Sequence, residues 1–173
     1  VEIFNNTKTQ PVPIVDSVEV DSVSLKYWVP GSWTIKALNA HSGNQVWALS
    51  PSGGSYNYLT LNGIQNLSAA PNPYIQFYVK KADGGGGYLS VEISNDAGLT
   101  YSVLPQGQPY FSGANYNKFT YSLKNFRQNN VVLRIGAYAP SGGTYLLDDI
   151  TIADSTGFTG VEDLAGITPD NFE

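Results

Sequence analysis

Hydrophobic positions recur at every second residue along most of this chain, the period of a strand with one face buried. In the run 131–138, Val131, Leu133, Ile135 and Ala137 fall on one face and Val132, Arg134, Gly136 and Tyr138 on the other. After Ala139-Pro140-Ser141-Gly142-Gly143 a second run keeps that period and reads as the return strand of a hairpin, with Leu146, Asp148, Ile150 and Ile152 on one side and Asp149 facing the opposite way. YIQFYVKKA sets Ile75, Phe77 and Val79 against Tyr74, Gln76, Tyr78 and Lys80, and YLSVEIS sets Leu89, Val91 and Ile93 against Tyr88, Ser90 and Glu92. The glycine-rich stretch Asp83–Gly87 between them reads as a flexible hairpin connection. Further strand-like runs occupy residues 1–5, 17–29, 33–38, 45–50, 56–64, 99–104 and 118–126, and a bulge or turn accounts for the slip at Asp21-Ser22. With no helix-period stretch, roughly ten strands predict an all-β fold, an antiparallel β-sandwich of jelly-roll type, over residues 1–153. Residues 154–173 lose the periodicity and read as an acidic C-terminal linker.

Composition agrees. Eighteen glycines and ten prolines in 173 residues suit many short strands and tight turns, and 42% hydrophobic content suits one domain with a sizeable core. The absence of cysteine excludes disulfides, thiol nucleophiles and thiolate metal sites. The net charge of −5 lies entirely in the linker, because residues 1–153 carry nine acids and nine bases. A neutral globule without a basic cluster argues against nucleic acid and anionic membranes as partners. No apolar run approaches the roughly 20 residues of a membrane span. The apolar opening at Val1 reads as a fragment of a longer protein, and the expected state is a monomer.

Candidate chemistry is sparse. One histidine, His41, and no Gly-x-Ser-x-Gly elbow leave little for nucleophilic catalysis, so His41 reads as a turn residue and the chain as no enzyme. A buried carboxylate is costly when unpaired, so Asp148 should have a cation, a metal or several N–H donors beside it. With so few nitrogen and sulfur ligands, calcium is the ion that the inventory suits. On the polar sides of their strands, Gln76, Tyr78, Glu92, Arg134 and Tyr138, joined by Trp47, would form one sheet face on which aromatic rings stack on sugars and polar groups take hydroxyls. An ordinary solvated sheet of tyrosines would have the same pattern.

SNDAGLTY (94–101) resembles the S-N-D-G-G-x-T-W turn of MAM-like jelly rolls of secreted bacterial proteins, and residues 131–152 resemble their closing hairpin. HSGNQVWAL and LTLNGIQNLSAAPNPYIQFYVKK fit the same order, so the resemblance covers about residues 33–153. Tyr101 stands where tryptophan is usual, Ala97 stands in place of the second glycine, and the stretch between Phe4 and Trp33 has no counterpart. Leu-Asp-Asp-Ile (147–150) is similar to the closing strand of jelly-roll carbohydrate-binding modules of families 4 and 22. That likeness implies a structural calcium between closing strand and chain start, at Glu2 and Asp148. GVEDLAGITPDNFE resembles the linker before the sorting domain of type IX secretion. Together these imply a secreted or cell-surface multidomain parent and a non-catalytic module binding a plant or microbial polysaccharide of the xylan or β-glucan class. The alternative is a MAM-like structural or adhesion domain that packs on a neighbouring domain and binds no glycan.

Overall fold

The computed structural model describes residues 8–10, 12–50, 55–84, 86–138 and 143–155, so Glu2 and the linker beyond Ser155 lie outside it. In chain order the strands are β1 (Thr9–Gln10), β2 (Ile14–Asp16), β3 (Trp28–Val29), β4 (Thr34–Lys36), β5 (Val46–Leu49), β6 (Asn57–Leu61) and β7 (Ile64–Gln65). They continue with β8 (Pro73–Lys81), β9 (Gly87–Ser94), β10 (Ser102–Val103), β11 (Tyr110–Phe111), β12 (Asn117–Ser122), β13 (Val132–Tyr138) and β14 (Tyr145–Asp154). The front sheet runs β10-β9-β13-β6-β3 with β11 also on β9, and the back sheet runs β12-β8-β14-β5-β4 with β2 on β14. All pairs within these two sheets are antiparallel, and the two inner faces share one core. This is the predicted jelly-roll sandwich. No helix among the described residues is long and apolar enough to cross a membrane.

Three local expectations are corrected. Neither predicted hairpin pairs with itself: β8 and β14 lie in the back sheet while β9 and β13 lie in the front sheet, so both connections arch from one sheet to the other. The stretch 17–29 holds a short helix, α1 (Asp21–Tyr27), where a bulged strand was expected. Its anchor is polar: Asp16 Oδ1 accepts from Val18 N (3.0 Å) and from Ser24 Oγ (2.5 Å), which buries Ser24 and leaves Val23 and Leu25 exposed.

The third correction is at Asp148-Asp149. The register of β14 against β8 shifts between Asp148 and Thr151, and Asp149 takes φ +48°. This extra residue reverses the facing, as bulges do. Tyr145 and Leu147 before it and Ile150 and Ile152 after it all enter the main core. Asp148 shares its side with Leu146, as predicted, but not with the two isoleucines. Leu146 joins Val46 and Ala48 in a small outer cluster covered by Ala40 and Tyr116. β14 also runs through Asp154, one residue past the predicted end of the domain.

Candidate functional site

The outer face of the front sheet is built from the residues that alternate with its core positions. Arg134 pairs in register with Glu92 on β9 and with Thr60 on β6; Gly136 pairs with Ser90 and Tyr58; Tyr138 pairs with Tyr88, which in turn pairs with Tyr110. Gly136 matters because a Cβ there would lie 2.6 Å from the Tyr58 ring and 3.3 Å from the Tyr56 ring. Its missing side chain lets Tyr58 lie across the sheet, so that Tyr58 Oη donates to Glu92 Oε1 at 2.6 Å.

Glu92 is the organiser of this floor. Its Oε1 accepts from Tyr58 and from Ser90 Oγ (2.7 Å), and its Oε2 accepts from Arg134 Nε (2.7 Å) and from Arg134 Nη2. A carboxylate has about four acceptor positions, and all are taken. Burial alone would raise its pKa, but the donors Tyr58, Ser90 and Arg134 outweigh it and hold the carboxyl below its ordinary range. Burial first, and then the bond to Glu92, pushes Tyr58 up to about 12. Arg134 is sandwiched between the rings of Tyr58 (3.9 Å) and Tyr101 (3.8 Å), an arrangement that suits a planar guanidinium. Two of its five N–H groups serve Glu92, which leaves three for a ligand.

Along the strands from this floor, tyrosines form a row across the sheet. Tyr110 and Tyr88 lie 5.0 Å apart, and Tyr56 continues beyond Tyr138 at 5.4 Å. At ordinary strand spacing the row spans about 14 Å. Tyr110 and Tyr88 are 58% and 47% exposed, so their apolar rings face solvent. The row is fixed from inside by fully buried Tyr145, whose hydroxyl accepts from Tyr88 N and donates to the Tyr138 carbonyl. Gly86 and Gly87 are therefore more than flexible: a Cβ on Gly86 would lie 1.9 Å from Tyr110 Oη, and one on Gly87 2.5 Å from Tyr145 Oη.

Of the six residues predicted to share one binding face, the fold brings three together: Glu92, Arg134 and Tyr138. Gln76 and Tyr78 stand on β8, on the outer side of the back sheet, because β8 and β9 belong to different sheets. Tyr78 is moreover covered, with His41 stacked on its ring at 3.6 Å. Trp47 is 1% exposed in the core, with Nε1 donating to Asp16 Oδ2 at 3.4 Å. Tyr56, Tyr58, Tyr88, Tyr101 and Tyr110 were not assigned to the site. Tyr58 and Thr60 were legible in principle, since they alternate with Leu59 and Leu61.

Asp148 and His41 form a different arrangement on the back sheet. Asp148 Oδ2 accepts from His41 N (2.8 Å) and Ser42 N (3.2 Å), and Oδ1 accepts from Asp149 N (2.8 Å). Burial raises its pKa to about 6 despite these bonds. Asp149, turned by its positive φ onto the same loop, accepts from Ser42 Oγ (2.7 Å) and lies 2.6 Å from His41 Nδ1. Serine and histidine thus both address the aspartate and not each other, so no nucleophile relay is assembled. For calcium the donor set around Asp148 does not fit: its oxygens are met by N–H groups, whereas calcium requires six to eight oxygen ligands. No group of three or more His, Asp or Glu among the described residues could hold a metal ion. The other expected ligand, Glu2, lies outside them.

No protein-family model and no curated protein matches the chain. Solved structures do. A CBM22 xylan-binding domain from Paenibacillus barcinonensis superposes with a TM-score of 0.60 at 17% identity, covering 81% of this chain and 92% of that one. A family 22 carbohydrate-binding module from Clostridium thermocellum gives 0.60 at 12% identity, with 82% and 92% covered. An adhesin domain of Lys-gingipain from Porphyromonas gingivalis gives 0.54 at 12% identity, with 83% and 99% covered. At these identities the likeness establishes the fold: this chain has the β-sandwich architecture of carbohydrate-binding modules and of a bacterial adhesin domain.

Proposed function

We propose that this chain is a non-catalytic carbohydrate-binding module that holds a polysaccharide of the xylan or β-glucan class on the outer face of its front sheet. The observation that carries the reading is Arg134: a guanidinium fixed between two tyrosine rings, with three unspent N–H groups, beside a row of solvent-facing tyrosines. Rings offer stacking to the C–H faces of sugars, and Arg134 offers directed donors to hydroxyls. Tyr138, Tyr88, Tyr110 and Tyr56 carry the stacking. Glu92 has no acceptor position left, so it positions Arg134 and Tyr58 and does not touch the sugar. The fold shared with a xylan-binding domain supports this reading. The module would sit in a secreted or cell-surface multidomain protein and direct its neighbours to substrate.

Affinity electrophoresis in gels containing xylan, mixed-linkage glucan, xyloglucan or mannan tests this. Retardation of the native protein in at least one gel, removed by Arg134→Ala and Tyr138→Ala, is expected. Free migration of the folded protein in all four would overturn the reading. It would favour the structural or adhesion domain instead, for which exposed Val15, Val20, Val23 and Leu25 offer an apolar contact.

A further inference from the structure

Tyr145 stands on β14 of the back sheet and is fully buried, yet its side chain crosses the core and ends among the strands that carry the tyrosine row. Its Oη accepts from Tyr88 N at 3.1 Å and donates to the Tyr138 carbonyl. Its ring meets Phe111, the neighbour of Tyr110 on β11, edge to face at 5.8 Å. One residue of the opposite sheet thus touches β9, β13 and β11, the strands that bear Tyr88, Tyr138 and Tyr110.

The position of that contact in the ladder gives it weight. Along β9, Leu89 N and Val91 N donate away from β13, to the Pro109 and Gly107 carbonyls, so the amides of Tyr88, Ser90 and Glu92 turn toward β13. Glu92 faces Arg134, Ser90 faces Gly136, and Tyr88 with Tyr138 is the last register pair. Beyond that pair β9 connects back to β8 and β13 runs on to β14, both in the other sheet. The Tyr145 hydroxyl therefore ties the two backbones together where the ladder runs out. A hydroxyl can serve both, since it accepts and donates, and burial raises its pKa, which keeps the proton in place. Stacking depends on where each ring stands. Tyr88 lies 5.0 Å from Tyr110, and Tyr138 lies 5.4 Å from Tyr56, on backbone whose final bonds are those to Oη.

We propose that Tyr145 is the positioning residue of the ligand face: from inside the core its hydroxyl sets the spacing of Tyr88 and Tyr138, and its ring seats the strand that carries Tyr110, without touching the glycan. The inference rests on the glycan-binding reading above.

Tyr145→Phe tests it, because phenylalanine keeps the ring and its contact with Phe111 and removes only the oxygen. In the xylan, mixed-linkage glucan, xyloglucan or mannan gels that retard the native protein, this variant should bind about three- to tenfold more weakly, the scale of one impaired aromatic contact. Ser24→Ala, which deletes the buried bond to Asp16 outside this face, is the control. Both variants should melt at a lower temperature than the native protein, yet only Tyr145→Phe should lose affinity. Amide exchange followed by NMR reads the cause: Tyr88 N–H should exchange faster in Tyr145→Phe, while Glu92 N–H keeps its native rate. If Tyr138→Ala abolishes retention and Tyr145→Phe binds as the native protein does, the face stands and the positioning role is refuted. Equal losses of affinity in Ser24→Ala and Tyr145→Phe would refute it too, since general destabilisation would then explain both. An unchanged Tyr88 exchange rate would overturn it likewise. If the folded native protein migrates freely in all four gels, the face falls and the role of Tyr145 falls with it.

Discussion

Each sheet buries a carboxylate on its outer side, and the two are handled in opposite ways. Glu92 on the front sheet meets a guanidinium and two hydroxyls, and its pKa falls; Asp148 on the back sheet meets only backbone N–H groups, and its pKa rises to about 6. At Glu92 the bonds from Tyr58, Ser90 and Arg134 together outweigh desolvation; at the more deeply buried Asp148, beside the like charge of Asp149, three backbone N–H bonds do not. The surfaces differ accordingly. Around Glu92 the side chains remain open, with tyrosine rings and spare Arg134 donors facing solvent. Around Asp148 the loop 39–45 is strapped down: Tyr116 Oη donates to the Asn39 carbonyl, Glu19 accepts from Asn44 N and Gln45 N, and His41 stacks on Tyr78. One face leaves its side chains open and the other holds a loop.

The largest effect that would sharpen this contrast is Arg134→Ala, which strands Glu92 in a site where its residue is 7% exposed. Breaking a buried pair from one side costs about 3 kcal/mol, so urea unfolding should show a loss of that order together with loss of glycan retention. Stability near that of the native protein would mean that the pair is not what organises the face.

Acid titration of stability separates the two carboxylates by sign. Asp148 has its pKa raised from 3.8 to about 6, so the folded state holds the proton more tightly and stability falls as pH rises through that window. Glu92 is lowered, so its contribution is present above the unfolded value of 4.5 and is lost as pH falls below it. Denaturation between pH 3 and 7 should lose the first slope in Asp148→Asn and the second in Glu92→Gln. If both variants flatten the same region, the contrast is wrong.

Smaller, and reciprocal between the faces, are two tyrosine changes. Tyr138→Ala should weaken glycan binding by about tenfold with little effect on folding, as expected of an aromatic anchor. Tyr78→Ala should leave glycan binding unchanged and cost about 1 kcal/mol of stability through the lost stack with His41. Calorimetry and thermal melts read both, and a binding defect in Tyr78→Ala would return the back sheet to consideration. Smallest is the effect of chelation: with Asp148 already satisfied by N–H groups, EDTA should leave the melting temperature unchanged. A fall would return the expected calcium at Glu2 and Asp148 to consideration.

The sandwich itself was legible because a period of two is dictated locally: each residue's side of its own strand follows from backbone geometry. That reasoning correctly set Glu92, Arg134 and Tyr138 opposite their core residues. It could not say which sheet a strand would join. Glycine-rich connections such as Asp83–Gly87 serve a hairpin or an arch equally well, and here the arch parts Gln76 and Tyr78 from Glu92.

Three further decisions belonged to the tertiary structure. The bulge at Asp149 reverses the facing of β14, which a strict period of two excludes by construction. Ser24 bonded to Asp16 makes a helix where alternation predicted a strand, since a buried polar pair outweighs a weak local preference. Trp47 reads from the sequence as a surface platform or as core with equal ease, and only the closing of one sheet over the other puts it inside. Sequence determined the strands and their two-sided chemistry. Long-range pairing decided which of those sides meet, because the contacts that choose a sheet lie far apart along the chain.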